Sequence, residues 1–269
     1  METLPTVAAK IAHSRPAWVT ALIYLAAVTA AELVTVSMQP IWGIALHVLT
    51  LVAVLIHSSV TNEYPRQQLI LSLALVPLVR IISLSLPLAS IPQLWWYPII
   101  YGPLLVAAVV TARILGYTRE DIGFTMKLSR VQMVVMLTGL GFGAAEYFIL
   151  VKLPPAPLTE PLVTGLTWQT AWLPALVLLL TTGLIEEIIF RGVLQRAAVK
   201  ALGDRGIVYV SFLFAILHLG FLSWADIAFV FVIALFFGWV VKKTGSLFGV
   251  ILAHGITNIL LFIVMPYLF

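Results

Sequence analysis

The sequence predicts an all-α polytopic membrane protein with eight or nine transmembrane helices and a cytoplasmic N-terminus. Hydrophobic residues make up 62% of its 269 residues and charged residues only 10%, and the mean hydropathy is +1.10. A soluble domain carries far more charge. Apolar stretches long enough to cross ~30 Å of hydrocarbon follow one another along nearly the whole chain. The alternating apolar and polar pattern of a membrane β-barrel is absent.

The predicted spans are helical because lipid offers backbone groups no outside hydrogen-bond partner. In chain order, they are about residues 17–37, 41–59, 68–88, 97–115, 131–151, 169–195, 206–223, 224–241 and 246–268. Pro77, Pro87 and Pro103 are expected to kink or end helices. The seventh span is short and is joined to the eighth through FLSWAD, and the count falls to eight if the first span is left out.

The basic residues predict the orientation, since cytoplasmic loops are enriched in lysine and arginine. With nine spans and a cytoplasmic N-terminus, twelve of the fifteen basic residues fall in cytoplasmic segments. Only Lys152 falls in an outside loop, and Arg80 and Arg191 lie within spans. The net charge of +4 therefore reflects membrane orientation rather than nucleic-acid binding. The absence of cysteine excludes disulfides, thiolate metal sites and a cysteine nucleophile.

Ionisable and amide side chains inside the spans are the candidates for function, because such groups are unfavourable in hydrocarbon. Three spans carry them, at Glu186, Glu187, Arg191, His218, His254 and Asn258. At ~1.5 Å per residue, Glu186, His218, His254 and Asn258 lie roughly 12–18 Å from the cytoplasmic ends of their helices. Three helices are thus expected to bring polar groups to one level in the membrane.

The spacing of these residues suggests roles. Glu187 and Arg191 are four residues apart and are expected to form an ion pair on one helix face. Glu186 is turned ~100° away from Glu187 and is free to face another partner. His254 and Asn258 are also four residues apart and project side by side as two hydrogen-bond donors. A carboxylate base, a histidine and a donor pair are the groups that water attack on an amide needs.

Three motifs in this order resemble those of a known family. EEIIFR matches the pattern EExxxR, Phe214 and His218 match FxxxH, and His254 and Asn258 match HxxxN. Together they resemble the CPBP intramembrane endopeptidases, the family that includes the CAAX prenyl endopeptidases. The stretch LGYTREDIGF resembles the usual cytoplasmic lead-in of that family. The resemblance predicts N-terminal transmembrane helices without a recognised motif at 1–115 and a protease core at 116–269.

The resemblance implies a metal-independent glutamate protease that needs no cofactor. In such an enzyme Glu186 would activate water, His218 would help to orient it, and His254 with Asn258 would stabilise the oxyanion. Glu187 is a candidate for sharing the catalytic work. The supporting residues are Arg191 and Phe214. Because the site needs water deep in the membrane, we expect a polar cavity open to the cytoplasm.

Two alternatives remain open from the sequence: a metal-dependent membrane protease, and a non-enzymatic transporter or scaffold. The expected partners are the bilayer and peptide or membrane-protein substrates, lipidated or not, without nucleic acid. The expected location is the plasma membrane of a prokaryote. Outside the motifs, Glu32 and Arg80 reach similar depths and are predicted to form an ion pair. Glu146 has no obvious partner and is a candidate for the cavity wall.

Overall fold

The computed structural model describes residues 15–125, 129–153 and 162–269. Within these ranges the chain is helical and contains no strand. The prediction of an all-α polytopic membrane protein is therefore confirmed. Lys10 and Lys127, which contribute to the predicted orientation, lie outside the described residues.

The helices follow one another with short connections in the described ranges. We number them α1 (Arg15–Ser37), α2 (Pro40–Val60), α3 (Tyr64–Leu73), α4 (Leu75–Ser85), α5 (Gln93–Ile114), α6 (Arg130–Lys152), α7 (Trp168–Leu202), α8 (Arg205–Ile216), α9 (Trp224–Thr244) and α10 (Phe248–Leu268).

Eight helical segments in the described ranges are long and apolar enough to cross a membrane, with α3 and α4 counted together as Tyr64–Ser85. The break between α3 and α4 lies at Ala74, just before Pro77, whose missing N–H interrupts the helical hydrogen bonds. The predicted seventh span is the shorter α8, which ends at Ile216 and continues as a single 3₁₀ turn at Leu219–Phe221.

Glycines bring α6 and α10 unusually close together. A methyl group placed on Gly139 would lie 2.3 Å from the carbonyl oxygen of Ala253, and one on Gly143 would lie 2.5 Å from that of Thr257. Small residues allow such close approach between membrane helices, where packing and hydrogen bonds replace the hydrophobic effect as the source of association. The next buried polar residue along this stripe of α6 is Glu146, one turn beyond Gly143.

Helix α7 contains two consecutive π-helical segments, Leu179–Glu186 and Ile188–Leu194, between α-helical ends. Its inner residues are almost fully enclosed, with Ile189 and Leu194 each 0% exposed. π-Helical turns are rare and occur frequently at functional sites. The two segments meet at Glu187, so the glutamate pair lies where the backbone departs from regular α-helical geometry.

The loop between α5 and α6 is fastened to α7 and to the turn before α10. Arg196 donates to the carbonyl oxygen of Asp121 at 2.6 Å and forms an ion pair with its carboxylate. Gly123, with a positive φ of 73°, accepts a hydrogen bond from the N–H of Leu247. The backbone N–H and hydroxyl of Thr118 donate to Asp121 and hold the pKa of its carboxyl below the ordinary value. These contacts fix the cytoplasmic lead-in predicted from LGYTREDIGF against the helix that carries the glutamates.

Candidate active site

A cavity of about 230 Å³ lies among helices α5 to α10. Since one water molecule takes up about 30 Å³ in the liquid, it has room for several waters. Its wall includes six of the seven residues that the sequence singled out: Glu186, Arg191, Phe214, His218, His254 and Asn258. The structure thus brings the three motifs together around one space, and Glu187 alone among the candidates lies off the wall.

Glu186 is the glutamate of the pair that faces the cavity. Its Oε1 accepts a hydrogen bond from the hydroxyl of Tyr101 on α5, and its Oε2 lies 3.7 Å from Nε2 of His254. The side chain retains 16% exposure, which the cavity provides. A carboxylate in this setting has a free lone pair for a water molecule, which a general base requires.

Glu187 is enclosed by protein and already neutralised. Its side chain is 0% exposed, and its Oε1 accepts hydrogen bonds from Nη1 of Arg191 at 2.9 Å and from Nδ1 of His254 at 2.8 Å. The predicted ion pair between Glu187 and Arg191 is therefore confirmed. The two glutamates do not face fully separate partners, because His254 lies between them and contacts both.

Arg191 is held between two aromatic rings. Its guanidinium carbon lies 4.6 Å from the ring centre of Phe214 and 5.7 Å from that of Phe237. Phe214 also packs edge-on against Phe190, with ring centres 4.8 Å apart. Cation–π contact and the Glu187 pair together compensate for burying the arginine. Phe214 thus links the FxxxH and EExxxR motifs by packing, as its assigned supporting role requires.

His218 lies just past the end of α8, where the chain turns into the 3₁₀ segment. Its Nδ1 is 2.9 Å from the carbonyl oxygen of Phe214. A carbonyl only accepts hydrogen bonds, so Nδ1 carries the proton and Nε2 of the neutral ring is an acceptor. The ring also stacks on Phe221, at 6.1 Å between centres and 29° between planes. His218 therefore offers the cavity a fixed lone pair, which is suited to orienting a water molecule.

Asn258 lies one turn beyond His254 on α10 and also faces the cavity. In the described ranges its amide has no hydrogen-bond partner, whereas the Nδ1 of His254 is taken by Glu187. Of the predicted donor pair His254 and Asn258, only Asn258 therefore has its donor available. The amide N–H of Asn258 is the free donor in this part of the wall.

Tyr101 contacts Glu186 directly, yet no sequence motif predicted it as a site residue. Tyr101 lies on α5, in the part of the chain without a recognised motif, within the aromatic run WWYPIIY. Nothing in that run distinguishes Tyr101 from its neighbours, because only the packing of α5 on α7 selects the tyrosine that reaches the glutamate. Tyr97, one turn earlier, also lies on the cavity wall. Glu146 lies there too, as the sequence suggested.

The predicted ion pair between Glu32 and Arg80 is also confirmed. Glu32 is 0% exposed, and its Oε1 accepts from Nε of Arg80 at 2.6 Å. Nε2 of His47 lies 3.0 Å from the same oxygen. This cluster joins α1, α2 and α4, and it pairs the buried charges of Glu32 and Arg80 with each other.

The apolar helical bundle thus encloses a glutamate, two histidines and an amide around one cavity. Residues 167–260 match the family model described as type II CAAX prenyl endopeptidase Rce1-like. This match confirms the resemblance recognised from the motifs and indicates a CAAX-type membrane protease in general. No curated protein and no solved structure matches the chain. The matched region contains all seven candidate residues, whereas Tyr101 and Glu146 lie outside it.

Proposed function

We propose that this protein is an intramembrane endopeptidase in which Glu186 activates a water molecule for attack on a peptide bond. The observation that carries the proposal is the asymmetry of the glutamate pair. Glu186 opens onto the cavity and is contacted by a neutral hydroxyl, whereas Glu187 is enclosed and paired with Arg191. Of the two adjacent glutamates, only Glu186 combines a free lone pair with access to the cavity. Glu187, which is off the cavity wall, becomes a positioning residue for His254.

The proposed reaction begins with a water molecule held between Glu186 and Nε2 of His218. The water oxygen attacks the carbonyl carbon of the peptide bond while Glu186 takes one of its protons. The carbonyl oxygen becomes an oxyanion, and the amide of Asn258 donates a hydrogen bond to it. Glu186 then returns the proton to the leaving nitrogen as the C–N bond breaks. The products are a carboxylate and an amine, as in any peptide hydrolysis.

His254 couples the two glutamates in this scheme. Its Nδ1 proton is donated to Glu187, and its Nε2 faces Glu186 at 3.7 Å. The ring is therefore held in one orientation by a neutralised carboxylate, in the way that an orienting acid holds a catalytic histidine. The sequence analysis assigned His254 to the oxyanion site. The geometry favours a role beside the base, with Asn258 as the principal oxyanion donor.

Metal independence is part of the proposal. Within the described ranges no group of three histidine, aspartate or glutamate side chains is arranged to hold a metal ion. The Glu187 oxygen nearest His254 is also bonded to Arg191, and this cation would oppose a second one beside it. We expect full cleavage activity after dialysis against EDTA and 1,10-phenanthroline, with metal content measured by mass spectrometry. Loss of activity that returns with zinc would favour the metal-dependent alternative.

We further propose that substrate reaches the cavity from the cytoplasmic side. A second cavity, lined by Arg196, Lys200 and Lys242, extends inward as far as Arg191, which also lines the site. A third cavity reaches Glu186 from the opposite end of the bundle, past Gln93 at the start of α5.

Because the chain has no cysteine, single cysteines can compare the two routes directly. Cysteines at Val199 and at Gln93 would be modified with a bulky membrane-impermeant reagent. We expect modification at Val199 to stop cleavage and modification at Gln93 to leave it. The reverse pattern would place the entrance at the Gln93 end.

The central experiment compares Glu186→Gln with wild-type protein on a peptide library in detergent or proteoliposomes. Glutamine keeps the shape and the Tyr101 contact but is not a base, so cleavage should fall below detection. Glu63→Gln, at the exposed N-cap position of α3, removes one carboxylate away from these cavities and should keep wild-type activity. Folding of each variant is checked by thermal melting and gel filtration. Cleavage by folded Glu186→Gln protein at the wild-type rate would refute the assigned base.

A further inference from the structure

We propose that Glu146 forms a subsite in the catalytic cavity for a cationic side chain of the substrate, lysine or arginine. This inference rests on the proposed protease function and names a class of substrate for it. The feature behind it is an unpaired carboxylate on the cavity wall, outside the matched family region.

Glu146 is buried and yet faces the cavity. Its residue is 7% exposed, and it lines the same space as Glu186, His254 and Asn258. Within the described residues its carboxyl group takes part in no hydrogen bond and no ion pair. The glycine contacts of α6 with α10 fix its direction, because Glu146 follows Gly143 by one turn on the same buried stripe. More than nine-tenths of the residue is thus enclosed, and it stands on the cavity wall with a carboxyl group that has no partner in the described ranges.

A second acidic residue, Asp226, reinforces the negative charge around Glu146. Asp226 lies in the first turn of α9, is 0% exposed, and both of its carboxyl oxygens are without a hydrogen-bond partner in the described ranges. The hydroxyl of Ser223, at the start of α9, donates to the carbonyl oxygen of Leu153 at the end of α6. This bond holds the start of α9, and with it Asp226, beside the helix of Glu146.

The arginines that line the two cavities meeting at Glu186 are already engaged elsewhere. Arg191 is paired with Glu187 and enclosed by two phenylalanine rings. Arg80, on the neighbouring cavity, is paired with fully buried Glu32. Neither is available to Glu146 without leaving another buried carboxylate alone. A carboxylate that is shielded from water is stabilised when a cation pairs with it. A lysine or arginine side chain of the substrate would supply that cation to Glu146.

The test uses pairs of peptides that differ only in carrying lysine or its uncharged isostere norleucine at one position near the scissile bond. Affinity is measured on Glu186→Gln protein, which binds without cleaving, and cleavage is measured on wild-type protein. The lysine peptide should bind and be cleaved at least about tenfold better, as expected for a desolvated charge pair. Replacement Glu146→Gln should remove this preference by weakening only the lysine peptide. Glu63→Gln serves as the matched control and should leave the preference unchanged.

Each outcome decides the proposal. Equal affinity for the two peptides, or an equal loss on both in Glu146→Gln protein, would overturn the cationic subsite and leave the assigned base intact. Cleavage by Glu186→Gln protein would instead refute the proposed function, whatever the peptide preference. If Glu146→Gln protein does not fold, the binding of n-butylammonium and of n-butanol is compared on Glu186→Gln protein, in which Glu146 keeps its carboxylate and the assigned base has lost its own. Stronger binding of the amine supports the subsite, and equal binding contradicts it.

Discussion

The hydroxyl of Tyr101 offers a direct way to measure how the N-terminal helices contribute to catalysis. In the structure it donates to Oε1 of Glu186, and replacement by phenylalanine removes this one oxygen while keeping the ring. We expect Tyr101→Phe to fold normally, because the ring packing between α5 and α7 is preserved. The Glu186 carboxylate would lose the donor that fixes its orientation toward water.

The expected size of the effect follows from the kind of hydrogen bond that is lost. A hydrogen bond to a charged group contributes about 1.5–3 kcal/mol. Since about 1.4 kcal/mol corresponds to tenfold in rate, kcat should fall about 10- to 100-fold. KM should change much less, because the hydroxyl holds the base and not the substrate. Such a split between kcat and KM is typical of an interaction that matters mainly in the transition state.

Tyr97 supplies the control for this experiment. It lies one turn away on the same helix and on the same cavity wall, but its hydroxyl makes no hydrogen bond within the described residues. Tyr97→Phe should therefore keep kcat within about threefold of wild type, as expected when no charge-assisted bond is lost. Steady-state cleavage of one fluorogenic peptide by the three proteins measures both constants. Equal losses in Tyr97→Phe and Tyr101→Phe, or none in Tyr101→Phe, would show that the hydroxyl does not position Glu186.

Three further predictions concern the supporting structure. Glu187→Gln should lower kcat but keep measurable cleavage, because it weakens the hold on His254 and leaves the proton acceptor Glu186 in place. Complete inactivity of folded Glu187→Gln protein, as expected for Glu186→Gln, would contradict this. Arg80→Met should destabilise the protein by about 3–5 kcal/mol by leaving Glu32 buried without its cation, and adding Glu32→Gln should restore part of the loss in detergent unfolding. Gly143→Ala should lower the melting temperature by forcing α6 from α10, whereas Gly141→Ala, which meets nothing within 4 Å, should not.

The helices of this protein were largely predictable, because hydrocarbon leaves the backbone few choices. Span lengths follow from bilayer thickness, and hydropathy placed the ends of the long helices to within about four residues, except that α7 runs on to Leu202 where the predicted span stops at 195. The short helix α8 was the least secure element, and it is the one that ends early, at Ile216. Its end follows from local backbone geometry, a 3₁₀ turn and a left-handed Leu222, which a hydropathy pattern does not register.

The sequence predicted which residues meet at the candidate site better than it predicted how they are arranged there. Spacing of four residues correctly gave the Glu187–Arg191 pair, because such neighbours meet on any helix near α-helical geometry. The same reasoning predicted that Glu186 could face a partner of its own, and Tyr101 is that partner, but it did not predict that His254 would contact both glutamates. Helix α7 is π-helical on both sides of Glu187, and His254 comes from another helix to contact both carboxylates. Neither the widened turn nor the approach of α10 can be read from spacing within one segment.

The different environments of two identical, adjacent side chains explain how this site can hold both a base and a structural ion. Glu187 contacts Arg191 and His254 and is fully enclosed, so its charge is balanced within the protein. Glu186 gains only a hydroxyl and a distant imidazole nitrogen, and it keeps contact with the cavity. The tyrosine comes from a helix outside the matched family region. A helix outside the matched region therefore supplies the contact that sets the cavity-facing glutamate apart from its neighbour.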